Sequence, residues 1–183
     1  MRLSVITPTI GRQTLYRTLA SIAPQLRDGD EHLVIGDGEQ PAAAAICREF
    51  AVSCHAGPVS GSYGTAQRDY GASIARGDWL LFCDDDDTYT PDALDNVRRA
   101  IADNPDTPHI FRMQRPRWAD TLWAVPAVFE GNVGTPMIVT PRYDDMPLWV
   151  DDLSSYTADH RFIKRITDAH GVVWREEVIC IVG

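Results

Sequence analysis

Cysteine is scarce and poorly spaced for chemistry: Cys47, Cys54, Cys83 and Cys180 lie far apart, mostly in apolar stretches. This excludes the paired spacing of a zinc site and the dense cross-linking of a small secreted domain, and predicts buried thiols in a reducing cytoplasm. No apolar run approaches membrane-spanning length, and Met1 leads straight into Leu3-Ser4-Val5-Ile6 without a charged-then-apolar leader. A soluble, cytoplasmic protein without a transmembrane segment is therefore expected. Basic charge is also short: 17 Lys and Arg are scattered among 26 Asp and Glu, for a net charge of −9. That balance argues against a nucleic-acid backbone as partner, although a free nucleotide can still bind through a metal and backbone amides. No Gly-x-Gly-x-x-Gly follows the first apolar run, which removes the mark of a hydride-transferring dinucleotide enzyme. Repeats, low-complexity tracts and linkers are absent too, so residues 1–183 are expected to form a single domain.

What is present is the composition of a globular chain, 44% hydrophobic and 23% charged, long enough to bury a core without disulfides. Its first half alternates short β-branched apolar runs with segments of helical period, the pattern of βαβ units around a parallel sheet. Strands are expected at residues 3–7, 32–36 and 52–54, with helices carrying Leu15, Leu19, Ile22 and Leu26 on one face, then at 42–50 and 65–75. Pro24 is placed to kink or end the first helix. Residues 79–83, Trp-Leu-Leu-Phe-Cys, form an unbroken apolar run that fits a central strand buried on both faces. Thr90 is placed to cap the next helix with Pro91 at its first position, and Leu94, Val97 and Ile101 make its buried stripe. Beyond residue 105 the pattern loosens. Strands are expected at 109–113, 121–124, 136–140, 172–174 and 178–182, and a helix at 158–169.

Ligands of open α/β sheets bind at the carboxyl ends of parallel strands, and three expected strands end in polar loops: Thr7-Pro8-Thr9, Asp37-Gly38 and Asp84-Asp85-Asp86-Asp87. Four adjacent carboxylates at a strand end repel one another and lose hydration, so a hard divalent cation is a natural compensator. Alternation along an extended backbone would put Asp84 and Asp86 on one side and Asp85 and Asp87 on the other. A solvated loop favouring the following helix's N-terminus is the plainer account of an acidic run; its place directly after a buried strand turns the balance towards a ligand. An EF-hand loop is excluded by Tyr89 and Asp95 where glycine and glutamate are required. Asp37 is either a turn-forming residue or a ligand contact, and Arg68 either an exposed helix residue or a phosphate or base contact. Asp151, Asp152 and Asp159 are late carboxylates that could serve as a general base, with helix capping the alternative for Asp159.

In order, these segments resemble family 2 glycosyltransferases of the GT-A fold. Ser4-Val5-Ile6-Thr7-Pro8-Thr9 is similar to their opening strand and loop, and residues 32–38 to their second strand, with Gly36 in place of the first of two aspartates. Ala66-Gln67-Arg68-Asp69 resembles their Ala-Arg-Asn helix entry, and residues 75–94 their Asp-x-Asp motif with its following helix. Asp159-His160-Arg161-Phe162 is similar to the helix bearing the catalytic base, although Ala158 stands where the first acid is expected. The metal-binding histidine that follows the closing strands in related enzymes has no match in this sequence.

The resemblance implies a mixed α/β sheet of GT-A type flanked by helices, with residues 1–100 as the nucleotide-sugar half and 101–183 as the acceptor half. It implies a metal-dependent inverting transfer from a nucleotide-diphosphate-sugar to an acceptor hydroxyl. Pro8, Thr9, Asp37, Arg68, Asp84 and Asp85 would hold the donor; Asp86 and Asp84 would bind Mn2+ or Mg2+; Asp159 would be the base. Trp118, Trp123 and Trp149 mark loops past which an acceptor would enter and could stack on a sugar, with core packing the plainer account of any one of them. The rivals are a sugar-nucleotide-binding protein without transfer activity and a nucleotidyltransferase. Against the latter, Pro8-Thr9-Ile10-Gly11-Arg12 is poor in the glycine that a triphosphate loop needs.

Overall fold

The structure is a computed structural model that describes residues 1–149 and 158–183. Its scaffold is one mixed sheet. Strands β1 (Leu3–Thr9), β2 (Glu31–Asp37), β3 (Ser53–Gly57) and β4 (Trp79–Phe82) run parallel in the order β3-β2-β1-β4. The sheet continues through β8 (Ile138–Pro141), β6 (His109–Arg115), β9 (Val173–Ile181) and the two-residue β5 (Thr88–Tyr89), while β7 (Asp120–Leu122) pairs with β6 as a hairpin. β8 is antiparallel to both β4 and β6, so β6 and its parallel partner β9 regain the direction of β4. The carboxyl ends of six strands therefore share one edge.

Helices cover both faces because the strands are apolar on both. Val34 packs with Leu15 and Leu19 of α1 (Leu15–Ile22) and with Ala43, Ile46 and Cys47 of α2 (Pro41–Glu49). Its neighbours Leu33 and Ile35 point the opposite way, as a period of two requires, into the main core with Val5, Leu80, Leu81 and Phe82. Burying side chains of this size contributes about 2 kcal/mol each. Pro24 ends α1 as anticipated, in a 3-10 turn over Ala23–Gln25. Gly71 lets α3 (Thr65–Ile74) lie flat on β1 and β2: a Cβ there would stand 2.6 Å from Cγ2 of Ile6. No described helix is long and apolar enough to cross a membrane. The four cysteines are free, and burial pushes the Cys47 thiol up to about 12.

Helix α4 starts at Ala93 rather than at Pro91 and runs to Asp103, with Leu94, Val97 and Ile101 buried as the period predicts. Thr90 does not cap it, because its hydroxyl donates to the Val178 carbonyl at 2.9 Å and ties β5 to β9 instead. The two closing strands expected at 172–174 and 178–182 are one strand, β9. Its polar Arg175-Glu176-Glu177 stretch is a bulge, visible as a register shift against β6, from which Arg175 reaches the Ala100 carbonyl at 3.0 Å. Helix α5 (Ala158–His170) buries Phe162, Ile163 and Ile166 as expected.

Candidate functional site

The polar ends of β1, β2 and β4 open into one cleft of about 540 Å³, whose lining includes Pro8, Thr9, Arg12, Asp37, Gln67, Asp84, Asp85, Asp86 and Asp159. Sequence separations of up to about 150 residues are thereby closed: Pro8, Thr9, Asp37, Asp84, Asp85, Asp86 and Asp159 line this space, and Arg68 does not.

The aspartates form a tight turn rather than an extended strand: the Asp87 amide donates to the Asp84 carbonyl at 3.1 Å. The expected two-by-two division fails for this reason. Asp84, Asp85 and Asp86 all line the cleft, and only Asp87 turns inward, where the Gly183 amide donates to its Oδ1 at 3.1 Å. Burial and the charge of Asp84 push the Asp87 carboxyl up to about 8, so it is largely protonated at neutral pH. Burial also raises the pKa of Asp85, opposed by a 2.6 Å hydrogen bond donated by the Thr9 hydroxyl and by the Arg12 guanidinium 3.1 Å away. The same Arg12 nitrogen lies 2.9 Å from Asp86 Oδ2 and so bridges two members of the run.

Arg68 lies beneath the cleft, not in its wall. Its side chain is buried, pairs with Asp84, donates to the Tyr63 carbonyl at 3.0 Å, and sits 5.0 Å over the Trp149 ring. Trp149 in turn stacks on Phe162 of α5, with centroids 3.9 Å apart. Arg68 therefore positions Asp84 from behind. Its helix starts where the sequence must come closest to β1: Gly64, at φ +83°, has no room for a Cβ beside Pro8, 2.9 Å away.

Asp37 is engaged at both oxygens, accepting from the Ser60 amide and Gln67 Nε2 at Oδ1 and from the Gly61 amide at Oδ2. It lines the cleft and also pins the 58–62 loop to the end of β2, rather than bonding within its own turn. Asp159, in the first turn of α5, accepts from the Thr135 amide at 3.3 Å, and burial raises its pKa. The other candidate bases, Asp151 and Asp152, lie outside the described residues. Of the three tryptophans, Trp123 and Trp149 are core residues, and Trp118 is exposed.

Arg12 and Gln67 have no expected role in the site, and Trp149, expected at an acceptor loop, packs instead against Arg68 and Phe162. Arg12 carries no local signal, since its partners lie more than 70 residues away. Gln67 and Trp149 belong to the site only through the α3 packing that also buries Arg68.

Among the described residues, no three His, Cys, Asp or Glu side chains converge into a cation cage. Mg2+ and Mn2+ commonly bind through one or two carboxylates and complete their shells with water and substrate phosphates. Asp84 and Asp86, which line one cleft with excess negative charge, fit that mode; they do not form an all-protein site.

A family model described as Glycosyl transferase family 2 matches residues 4–146. An uncharacterized glycosyltransferase of Haemophilus influenzae is 27% identical over 110 residues, covering 60% of this chain and 37% of the relative. The crystal structure of S. aureus TarS 1-349 superposes with a TM-score of 0.78 at 17% identity, over 100% of this chain and 60% of that one. Its complex with UDP-GlcNAc matches with a TM-score of 0.78 at 16% identity, over 100% of this chain and 58% of that one. Mannosyltransferase PcManGT from Pyrobaculum calidifontis, in complex with GDP-Man and Mn2+, gives a TM-score of 0.70 at 17% identity over 98% of this chain and 56% of that one. The chain thus spans under two thirds of these proteins, and the likeness in structure is one of fold: the GT-A arrangement of a mixed sheet flanked by helices.

Proposed function

The chain belongs to glycosyl transferase family 2, and from that membership we propose that it moves a sugar from a nucleotide-diphosphate-sugar donor to an acceptor hydroxyl, with a divalent metal and with inversion. One observation carries the reading: a single cleft gathers the acidic turn, the ends of β1 and β2, and Asp159. In this reading residues 1–100 hold the donor, residues 101–183 the acceptor, and the two halves act as one domain.

The nucleoside would lie against Pro8, Thr9 and Asp37, with Asp84 and Asp85 at the ribose and diphosphate end. Arg68 would orient Asp84 through their ion pair. Mn2+ or Mg2+, held by Asp86 with Asp84, would supply the positive charge that stabilises the departing diphosphate. Asp159 would accept the proton of the acceptor hydroxyl as that oxygen attacks the anomeric carbon from the face opposite the diphosphate. A carboxyl whose pKa is raised by burial suits a base working near neutrality. One displacement through one base gives inversion. The UDP-GlcNAc and GDP-Man of the structural neighbours make a uridine or guanosine donor the first to try.

Calorimetric titration of UDP, GDP and their sugars, with Mn2+ and with chelator, tests the donor site. Metal-dependent binding by the wild type and its loss in Asp86→Ala is the expected result; no nucleotide binding under either condition would refute the reading. Asp159→Asn should keep donor affinity while donor turnover falls by about 10²- to 10⁴-fold. Turnover unchanged in that variant removes Asp159 as base, and no turnover by the wild type favours the binding protein without transfer activity.

A further inference from the structure

The geometry points to Trp118 as a stacking platform for a pyranose ring of a saccharide acceptor, at a subsite outside the cleft; this rests on the sugar-transfer reading above. Most large apolar side chains in the second half are buried, including Trp123 at 6% exposure, yet Trp118 is 59% exposed, in a half that also exposes Val125, Phe129 and Leu148. It is also held in place. Arg115 lies 5.2 Å from the ring centroid, and Arg115 is itself fixed by a two-point ion pair with Asp120, its cross-strand partner in the β6–β7 hairpin. Ala119, the next residue, adopts a left-handed backbone at φ +53°, which a non-glycine residue holds only at some cost. A left-handed turn that presents a braced, exposed indole fits an aromatic face available to a ligand.

Its location selects the ligand. β6 runs in the direction of β4, so the turn that follows β6 stands on the same sheet edge as the acidic turn that follows β4. The two are linked by short steps: the Val182 amide donates to the Gln114 carbonyl at 2.9 Å, and the adjacent Gly183 amide to Asp87 at 3.1 Å. One ring face rests on the Arg115 side, and exposed Gln114 and Arg117 flank it in sequence. An aromatic face with hydrogen-bonding neighbours suits a pyranose, whose C–H face is apolar and whose rim is hydroxyl.

Saturation-transfer NMR with chitotetraose, cellotetraose and mannotetraose tests this on the wild type, Trp118→Ala and Trp118→Phe. The wild type should bind at least one tetrasaccharide, Trp118→Phe should retain it, and Trp118→Ala should bind about tenfold more weakly. Thermal unfolding of both variants checks that the fold is intact, and Arg115→Met, which leaves the indole unbraced, supplies a second variant expected to weaken binding. Failure of all three tetrasaccharides to bind the wild type, or equal binding by Trp118→Ala, overturns the proposal. So does concentration-dependent self-association that buries the indole, which would make this surface a protein interface. The nucleotide titration of the wild type reports separately on the donor site, so failure of that reading is distinguished from failure of this one.

Discussion

Replacing Arg68 with methionine removes a buried guanidinium while keeping most of its volume. Three contacts go with it: the pair with Asp84, the hydrogen bond to the Tyr63 carbonyl and the ring contact with Trp149. Taking one partner from a buried ion pair costs roughly 3–5 kcal/mol, because the other charge stays behind without compensation. Here the Asp84 side chain is 35% exposed, so water recovers part of that charge and the loss should fall near the lower bound, about 3 kcal/mol. In a chain of 183 residues this lowers the melting temperature by about 6–12 °C. Asp84→Asn leaves the opposite imbalance, a buried cation that Asp159 compensates only in part. The double variant Arg68→Met with Asp84→Asn removes both charges and should recover about 1–2 kcal/mol of the summed single losses. Urea unfolding of the four proteins, in chelator so that no metal contributes, measures the cycle. Losses that simply add would refute the coupling, and with it the argument that Arg68 acts by holding Asp84.

The remaining predictions concern the cations and protons around the same scaffold. Arg12→Ala frees two carboxylates that share one exposed guanidinium, so Mn2+ affinity in the absence of nucleotide should rise about two- to fivefold by calorimetry; unchanged affinity would show that Arg12 does not compete for the turn. His32 is buried against Thr7, and burial depresses its pKa from 6.5 to about 3. Between those values the unfolded chain binds a proton that the folded chain does not, so stability falls as pH drops through this window, by about 3 kcal/mol at pH 4. His32→Gln, compared with the wild type by urea midpoints at pH 7 and 4, should lose correspondingly less on acidification, and equal losses would refute the assignment.

Elements that depend on local pattern were legible in the sequence. The apolar run at residues 79–82, the helical stripe of Leu94, Val97 and Ile101, and the polar loops after β1, β2 and β4 all stand where period and composition place them. Features that depend on long-range packing were not. Nothing local distinguishes buried Arg68 from an exposed helix arginine, because its burial comes from Trp149, Asp84 and Gly64 meeting around it. An acidic run directly after a strand implies an extended backbone, whereas it turns, with Thr18 donating to the Asp87 carbonyl at 2.7 Å. β9 was read as two strands because a bulge that exposes Glu176 and Glu177 has the composition of a loop.

The short strand β8 governs the sidedness of the molecule by parity. One strand running against β4 and β6 makes two reversals, and two reversals restore direction. A second antiparallel strand inserted at that place would make three, sending the β6–β7 hairpin, its indole and the end of β9 to the opposite edge of the sheet, a full strand length from the aspartates. A four-residue strand thus decides that the loops following β4 and β6 share one edge, and variation in this scaffold can lengthen those loops freely but can add alternating antiparallel strands between β4 and β6 only in pairs.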